Sequence, residues 1–394
     1  MPRRTPLDLP LLCFLAVVAV SAALNDLPPV VVAAGVKNLL RFVFLFYLVQ
    51  HLDLPRRHLD RLWAVLLAVA AAEAVLCLLQ PVLGERLIEF LRPGEVVVGD
   101  ILLRPEDVVN QTLFSKAFGT MGRYNYLGNY LAFILSLLIA PLILGRRARW
   151  QFGLIALLGL GLYLTSSRMS IFGLALAVAW MLLRGRKRAP LLLLSGFLLA
   201  AAIEFGSLGV IDLERGESGA SARDRFFSVF TPEYREQSAR WFTATSTIPI
   251  LLRHSPLFGL GSGTLPGDAA TLFPEYDRSH ELGISPSQVY WLPDVGVGAL
   301  IGQFGLLGAG CLGWMLWRLF RLAANLVGQS ADPNTRGLGL GFAGMVLIMA
   351  FSNLPGFALI YRVPSFTFWL MAGVVVRLAR QEAEPQPGFI EAGK

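Results

Sequence analysis

Arg223-Asp224-Arg225, Arg235-Glu236, Arg240-Trp241, Arg253-His254, Glu275-Tyr276-Asp277-Arg278 and His280-Glu281 punctuate one polar interval, residues 212–294. Nearly everything before and after it is apolar, in runs long enough to cross a bilayer. A chain that spends most of its length in lipid and then builds one large water-facing segment has reason to place its chemistry there. The competing reading is an inert connecting loop.

Composition points the same way. The 394 residues are 55% hydrophobic and 15% charged, against about a quarter charged in an average soluble domain. Mean hydropathy is +0.59. This is the profile of a polytopic membrane protein. The net charge of +7 does not indicate nucleic acid, because the basic residues sit in short loops beside apolar runs, where they encode membrane orientation. Cys13, Cys77 and Cys311 lie inside apolar runs without paired spacing, so neither a disulfide framework nor a zinc site is indicated. Pro2-Arg3-Arg4 before Leu11 to Leu24 could pass for a signal peptide, but more spans follow and an uncleaved first helix is preferred.

A hydrocarbon core of about 30 Å needs about 20 apolar helical residues. That rule places spans near 9–25, 29–50, 61–83, 124–145, 151–166, 168–184, 190–210, 294–317, 337–360 and 364–380. The expected fold is all-α, with about ten transmembrane helices. Three regions follow: 1–210, N-terminal helices with an outer loop at 84–123; 211–293, a large, partly helical outer loop; and 294–394, C-terminal helices and a tail. Lys37 and Arg41 lie inside the second span on one helix face, at a cost of roughly 2.5–3.5 kcal/mol each at mid-bilayer, so they should face the interior or snorkel. Arg3/Arg4, Arg56/Arg57/Arg61, Arg146/Arg147/Arg149, Arg184/Arg186/Lys187/Arg188, Arg318/Arg321 and Arg377/Arg380 fall on alternate connections. The positive-inside rule makes that side cytoplasmic, with both termini inside and loops 84–123 and 211–293 outside. Within the large loop, Thr231-Pro232-Glu233 starts a helix that runs toward His254, bent at Pro249 and stopped before Ser255-Pro256.

Four features of the outer side could carry chemistry. Thr165-Ser166-Ser167-Arg168 is squeezed between two spans, where a guanidinium suits a diphosphate or carboxylate in fork geometry; the bland alternative is an interface anchor. Arg240-Trp241 follows Glu236 at the spacing of an ordinary helix salt bridge, with Arg223 and Arg225 adding basic charge. Pro256-Leu257-Phe258-Gly259-Leu260-Gly261-Ser262-Gly263 permits close backbone approach, although a tight turn explains it equally and it is no phosphate-loop fingerprint. Finally, His280 and Asp294 are both candidate bases; Asp294 could instead cap the following helix.

The order of these pieces resembles the bacterial O-antigen ligase and O-antigen polymerase superfamily. Arg123-Tyr124-Asn125-Tyr126-Leu127-Gly128 opens the fourth span, an outer Ser-Arg follows, then Arg-Trp on a loop helix, the glycine-rich segment, and a helix carrying Phe304-Gly305-Leu306-Leu307-Gly308. The resemblance spans about 120–310. It implies a GT-C-type membrane glycosyltransferase that uses an undecaprenyl-diphosphate-linked oligosaccharide donor and a glycan acceptor. It further implies no metal or other cofactor, and a chain-length regulator protein as partner of a polymerase. Carried over by motif, Arg168 and Arg240 would hold the diphosphate, with Arg123, Arg223, Arg225 and Trp241 as further substrate-binding residues. Ligases of this superfamily carry a histidine just before the helix after the large loop. Counting back from Gly305, Asp294 occupies that position here, with His280 upstream. A polymerase is therefore preferred over a ligase acting on lipid A-core. A polyprenyl-linked glycan flippase is the alternative of another class; it should place polar residues at mid-membrane in broken helices.

Overall fold

The computed structural model describes residues 4–52, 55–91, 96–98, 101–103, 116–146, 148–185, 248–265, 272–282, 296–354 and 356–383. Nine of the ten expected spans coincide with helices. These are α1 (Asp8–Leu24), the pair α2 (Pro29–Leu40) and α3 (Val43–His51), α4 (Arg56–Leu83), α6 (Tyr124–Ile143), α7 (Arg149–Leu164), α8 (Arg168–Arg184), α10 (Gly296–Gln329), α11 (Pro333–Ser352) and α12 (Arg362–Ala383). The span expected at 190–210 lies outside the described residues. Among the described residues, five helices are long and apolar enough to cross a membrane, or six if the bent pair α2–α3 is one span. This is a polytopic helical membrane protein.

Three expectations need correction. The second span is not one helix: α2 and α3 meet at 64° across Arg41-Phe42, with no proline or glycine at the break. Lys37 is exposed and Arg41 half-buried, with its Nη2 donating to Asn38 Oδ1 (2.6 Å), so the two cations do not share one environment. The helix expected to end near Trp317 continues to Gln329, which puts Arg318 and Arg321 on the helix rather than in a loop. In the first outer loop, α5 (Glu85–Leu91) is followed by strands β1 (Val96–Val98) and β2 (Ile101–Leu103), paired antiparallel with Val96 opposite Leu103. Two β-branched or aliphatic triplets around Gly99-Asp100 are an ordinary hairpin pattern.

The centre of the bundle is α6 and α11. Every residue from Leu127 to Leu138 of α6 is buried, as expected of a helix that is apolar all round. Small residues bring its backbone close to α11: Ser136 Oγ donates to Gly341 O (2.7 Å), and a Cβ at Gly344 would collide with that same hydroxyl. Around this pair stand α8, α10 and α12; α1 packs on α10, α3 on α12, and α4 on α7. The start of α11 is capped by Asp332, whose carboxylate accepts from Asn334 N (3.0 Å) and Thr335 Oγ1 (2.9 Å), with Pro333 in the first turn.

Side-chain contacts check the alternation of connections directly. At one end of the bundle Arg380 Nη2 donates to Arg4 O (3.3 Å), Arg377 to Leu52 O, Arg146 to Asn334 Oδ1, and Arg336 Nε to Val327 O (3.0 Å). The connections expected on the opposite side meet one another there, through Arg278 with Asn25, Ser167 with Asn125, and Ser352 with Asn129. The bundle thus has an arginine-rich end and a loop end.

Candidate active site

Three helices that run in the same direction begin at the loop end, and each begins with an arginine. Arg123 is the residue before α6, Arg168 the first of α8 and Arg362 the first of α12. All three are exposed, and among the described residues none makes a hydrogen bond or ion pair. Arg123 lies over the Tyr126 ring at 5.7 Å. A helix N-terminus carries about half a positive charge and unpaired N–H groups. Free guanidinium groups on converging N-termini form an arrangement for an anion with several oxygens.

Convergence is built in by local packing. Helix α7 ends at Leu164 and α8 starts at Arg168, leaving three residues for the reversal. Ser166 supplies it from the left-handed region, at φ 52°, a strained position for a residue with a side chain. Thr165 Oγ1 donates to Leu162 O (2.7 Å) and accepts from Ser167 N (3.2 Å). Ser167 Oγ donates to Asn125 Oδ1 (3.2 Å) and is 2.7 Å from Ser170 Oγ. Gly128 lets the two helices close, since a Cβ there would lie 2.5 Å from Ser167 Cβ. The Arg-Tyr-Asn-Tyr-Leu-Gly and Thr-Ser-Ser-Arg motifs are therefore two halves of one joint. Tyr126 joins α12 to it, its ring 4.4 Å from that of Tyr361.

Below this joint is a carboxylate the sequence reading passed over. Glu73 on α4 is 4% exposed and accepts from Thr120 N (3.0 Å) and from Thr120 Oγ1. Gln80, two turns on, accepts from Phe118 N (3.0 Å) and Gly119 N (3.1 Å). Ala117 N donates to Leu164 O (2.9 Å). The end of the first outer loop is thus pinned to α4 and α7 immediately before Arg123. Glu73 was findable: it is the lone acid in its apolar run, and an intramembrane ionisable group is a functional candidate by default. Arg362 was findable too, as an arginine at the end of a span opposite to the basic connections.

The glycine-rich segment does structural work. Helix α10 is broken at Gly305, at φ 65° and ψ −175°. A continuous helix would bond Leu306 N to Gly302 O. Here Gly302 O accepts from Leu260 N (2.7 Å), Leu306 N donates to Pro256 O (2.9 Å) and Leu307 N to Leu257 O (3.2 Å). The segment lies in the break as a turn, closed by Gly259 N donating to Ser255 O (3.0 Å). Ser21 Oγ donates to Phe258 O (2.7 Å), Gly263 N donates to Gln303 Oε1 (3.0 Å), and a Cβ on Gly263 would lie 2.6 Å from Val31 O. It is preceded by α9 (Ile248–His254), which stops before Ser255 as expected; the expected helix start at Thr231 lies outside the described residues.

His280 lies in a 3-10 turn, Ser279–Leu282, and is exposed. The turn is anchored by its neighbours. Arg278 Nη1 and Nη2 donate to Asn25 Oδ1 (2.8 Å) and O (3.0 Å), its Nε lies 3.7 Å from Glu281, and Ser279 N donates to Asp277 Oδ1 (2.8 Å). Among the described residues, no hydrogen bond or ion pair joins this turn to Arg123 or Arg168. Arg223, Arg225, Arg240, Trp241 and Asp294 lie outside the described residues. Gly296, two positions after Asp294 in sequence, packs against Asn353 O and Gly356 O. No group of three His, Cys, Asp or Glu side chains converges among the described residues.

The family model described as O-antigen ligase matches residues 152–313. That stretch is similar to O-antigen ligases. The match supports the superfamily resemblance drawn from the motifs, whose members are glycosyltransferase-like enzymes of the ligase and polymerase type. The matched stretch contains Arg168, the glycine-rich segment, His280 and the Gly305 break; Arg123, Glu73 and Arg362 lie outside it in sequence. No curated protein matches the chain.

Proposed function

We propose that the chain is a glycosyltransferase of the bacterial inner membrane that moves an oligosaccharide from an undecaprenyl-diphosphate donor to a glycan hydroxyl. Both termini are cytoplasmic and the loop end faces the periplasm. The observation that carries this reading is Arg168, exposed and unpaired at the start of α8, on a turn whose other residues are tied down. Attack by the acceptor hydroxyl at the anomeric carbon forms one C–O bond and breaks another. Negative charge then grows on the departing diphosphate. Arg168, with Arg123 and the N-termini of α6 and α8, favours that charge more in the transition state than in the ground state. The hydroxyl proton passes to His280 or Asp294.

Polymerisation is the preferred reaction, because Asp294 stands where the ligases of the superfamily carry histidine. The 64° break between α2 and α3 is the feature a flippase reading could use. The break in α10, by contrast, is filled by backbone. Purified protein in proteoliposomes with lipid-linked oligosaccharide decides among the three. Extension of the lipid-linked glycan without added lipid A-core is the result expected. Transfer only with lipid A-core indicates a ligase. Donor movement across the bilayer without any new glycosidic bond overturns the enzyme reading.

A further inference from the structure

A cavity opens at the arginine-rich end, away from the three helix N-termini of the loop end. Its volume is about 550 Å³, and it is walled by Pro6 before α1, by Ala379 of α12 and by one face of α10. On that face Trp314, Trp317, Arg318 and Arg321 recur every three or four residues, so they stack along one side of the helix. Arg318 is half-buried, with its guanidinium 6.0 Å from the centre of the Trp314 ring. Trp317 is 55% exposed and Arg321 is exposed. None of the lining residues is acidic, and among the described residues neither arginine makes a hydrogen bond or an ion pair.

The depth is informative. At 1.5 Å per residue, the two segments of α10 on either side of the Gly305 break run about 14 Å from Gly296 and about 20 Å on to Arg318, together at most the thickness of a hydrocarbon core. The tryptophans therefore sit at the level where aromatic belts meet headgroups, and the arginines just beyond them. Asn325 and Gln329, one and two turns further, add amide donors above the same cavity.

We infer that this groove binds the headgroup of an anionic phospholipid. Arg318 and Arg321 hold the phosphodiester, Asn325 and Gln329 hydrogen-bond the remaining headgroup oxygens, and Trp314 and Trp317 cover the upper acyl chains. Two cations without an acidic partner would repel each other in an empty groove; an anionic headgroup supplies the missing charge. An interface anchor alone would need neither a cavity nor paired cations. The site is independent of the glycosyl-transfer reading and does not depend on which face of the membrane is which.

The test uses full-length protein in a neutral detergent, with retained lipid measured by native mass spectrometry. Phosphatidylglycerol is expected to be retained at least 10-fold better than phosphatidylcholine. Arg318→Gln/Arg321→Gln should remove that preference, and Arg318→Lys/Arg321→Lys should keep most of it. Asn325→Leu/Gln329→Leu, which leaves both charges in place, should weaken phosphatidylglycerol retention several-fold. Equal retention of the two lipids by the unmodified protein overturns the proposal, as does an undiminished preference in the glutamine variant. Displacement of phosphatidylglycerol by millimolar inorganic phosphate would also overturn it, by making the site one for free phosphate.

Discussion

Three arginines at one end of the bundle and three at the other are used in opposite ways. At the arginine-rich end, Arg336, Arg377 and Arg380 donate to backbone oxygens of neighbouring elements. They act as ties, Arg336 and Arg377 on carbonyls near helix C-termini and Arg380 on the segment before α1. At the loop end, Arg123, Arg168 and Arg362 have no such acceptor among the described residues and stand exposed on helix N-termini. A cation at a helix N-terminus is placed against the dipole. A fold that sets three there gives up some stability, which a bound anion would return. The difference teaches that an arginine's acceptors, more than its charge, separate a structural site from a binding site.

The sharpest way to break the comparison is to exchange the roles. Arg168→Ala is expected to lower transfer by about 10²–10³-fold, the usual loss of a donor that stabilises transition-state charge, without lowering the unfolding temperature. Arg168→Lys should not restore it, because a point charge lacks the fork. Arg377→Ala should do the reverse, costing about 0.5–1.5 kcal/mol of stability through its lost hydrogen bond to Leu52 O, with activity per folded molecule unchanged. Equal behaviour of the two alanine variants would remove the distinction.

Gly305→Ala tests whether the loop end is held rigid by the filled break in α10. At φ 65° and ψ −175° only glycine is at ease, and a methyl group would strike Leu257 O. Strain of about 1–3 kcal/mol plus the displaced turn should sharply reduce yield and thermal stability. A variant as stable as the parent would show that the break can heal without consequence.

Glu73→Ala comes next. It removes the acceptor of both Thr120 N and Thr120 Oγ1, at about 0.5–1.5 kcal/mol for each hydrogen bond, and frees the turn that precedes Arg123. A fall in donor affinity larger than the fall in turnover is the expected kinetic signature. Unchanged donor affinity would make Glu73 a packing residue only. The smallest effect belongs to Asp332→Ala at the arginine-rich end, expected to cost about 1 kcal/mol through a lost helix cap and to leave transfer untouched; differential scanning calorimetry with a parallel assay reads both.

How much of this was legible follows from what each feature depends on. Span positions depend on apolar run length alone, and the ladder of basic connections depends on the same local information. Both are written in the sequence. The α2–α3 break carries no proline or glycine, so nothing local announces it. The Gly305 break is visible only as a motif, because its cause is a partner segment about 45 positions away. Arg168 and Arg123 were legible as residues, but their convergence rests on the contact of Ser167 with Asn125 and on the space at Gly128. Glu73 and Arg362 were legible by rules already applied to Lys37, Arg41 and Arg168, and were passed over.

The exchange of hydrogen bonds at Gly305 also couples three parts of the chain. In lipid, an open break would strand Gly302 O and Leu306 N, at several kcal/mol for each group. The segment that satisfies them, residues 256–260, is itself held against α1 by Ser21. The break is therefore stable only with that segment in place. An isolated α10 peptide in vesicles should accordingly be helical through Gly305, and a kink already present there would show that the break does not need its partner. Helix α10 is thus a latch: its bend holds only while α1 and the glycine-rich segment are engaged.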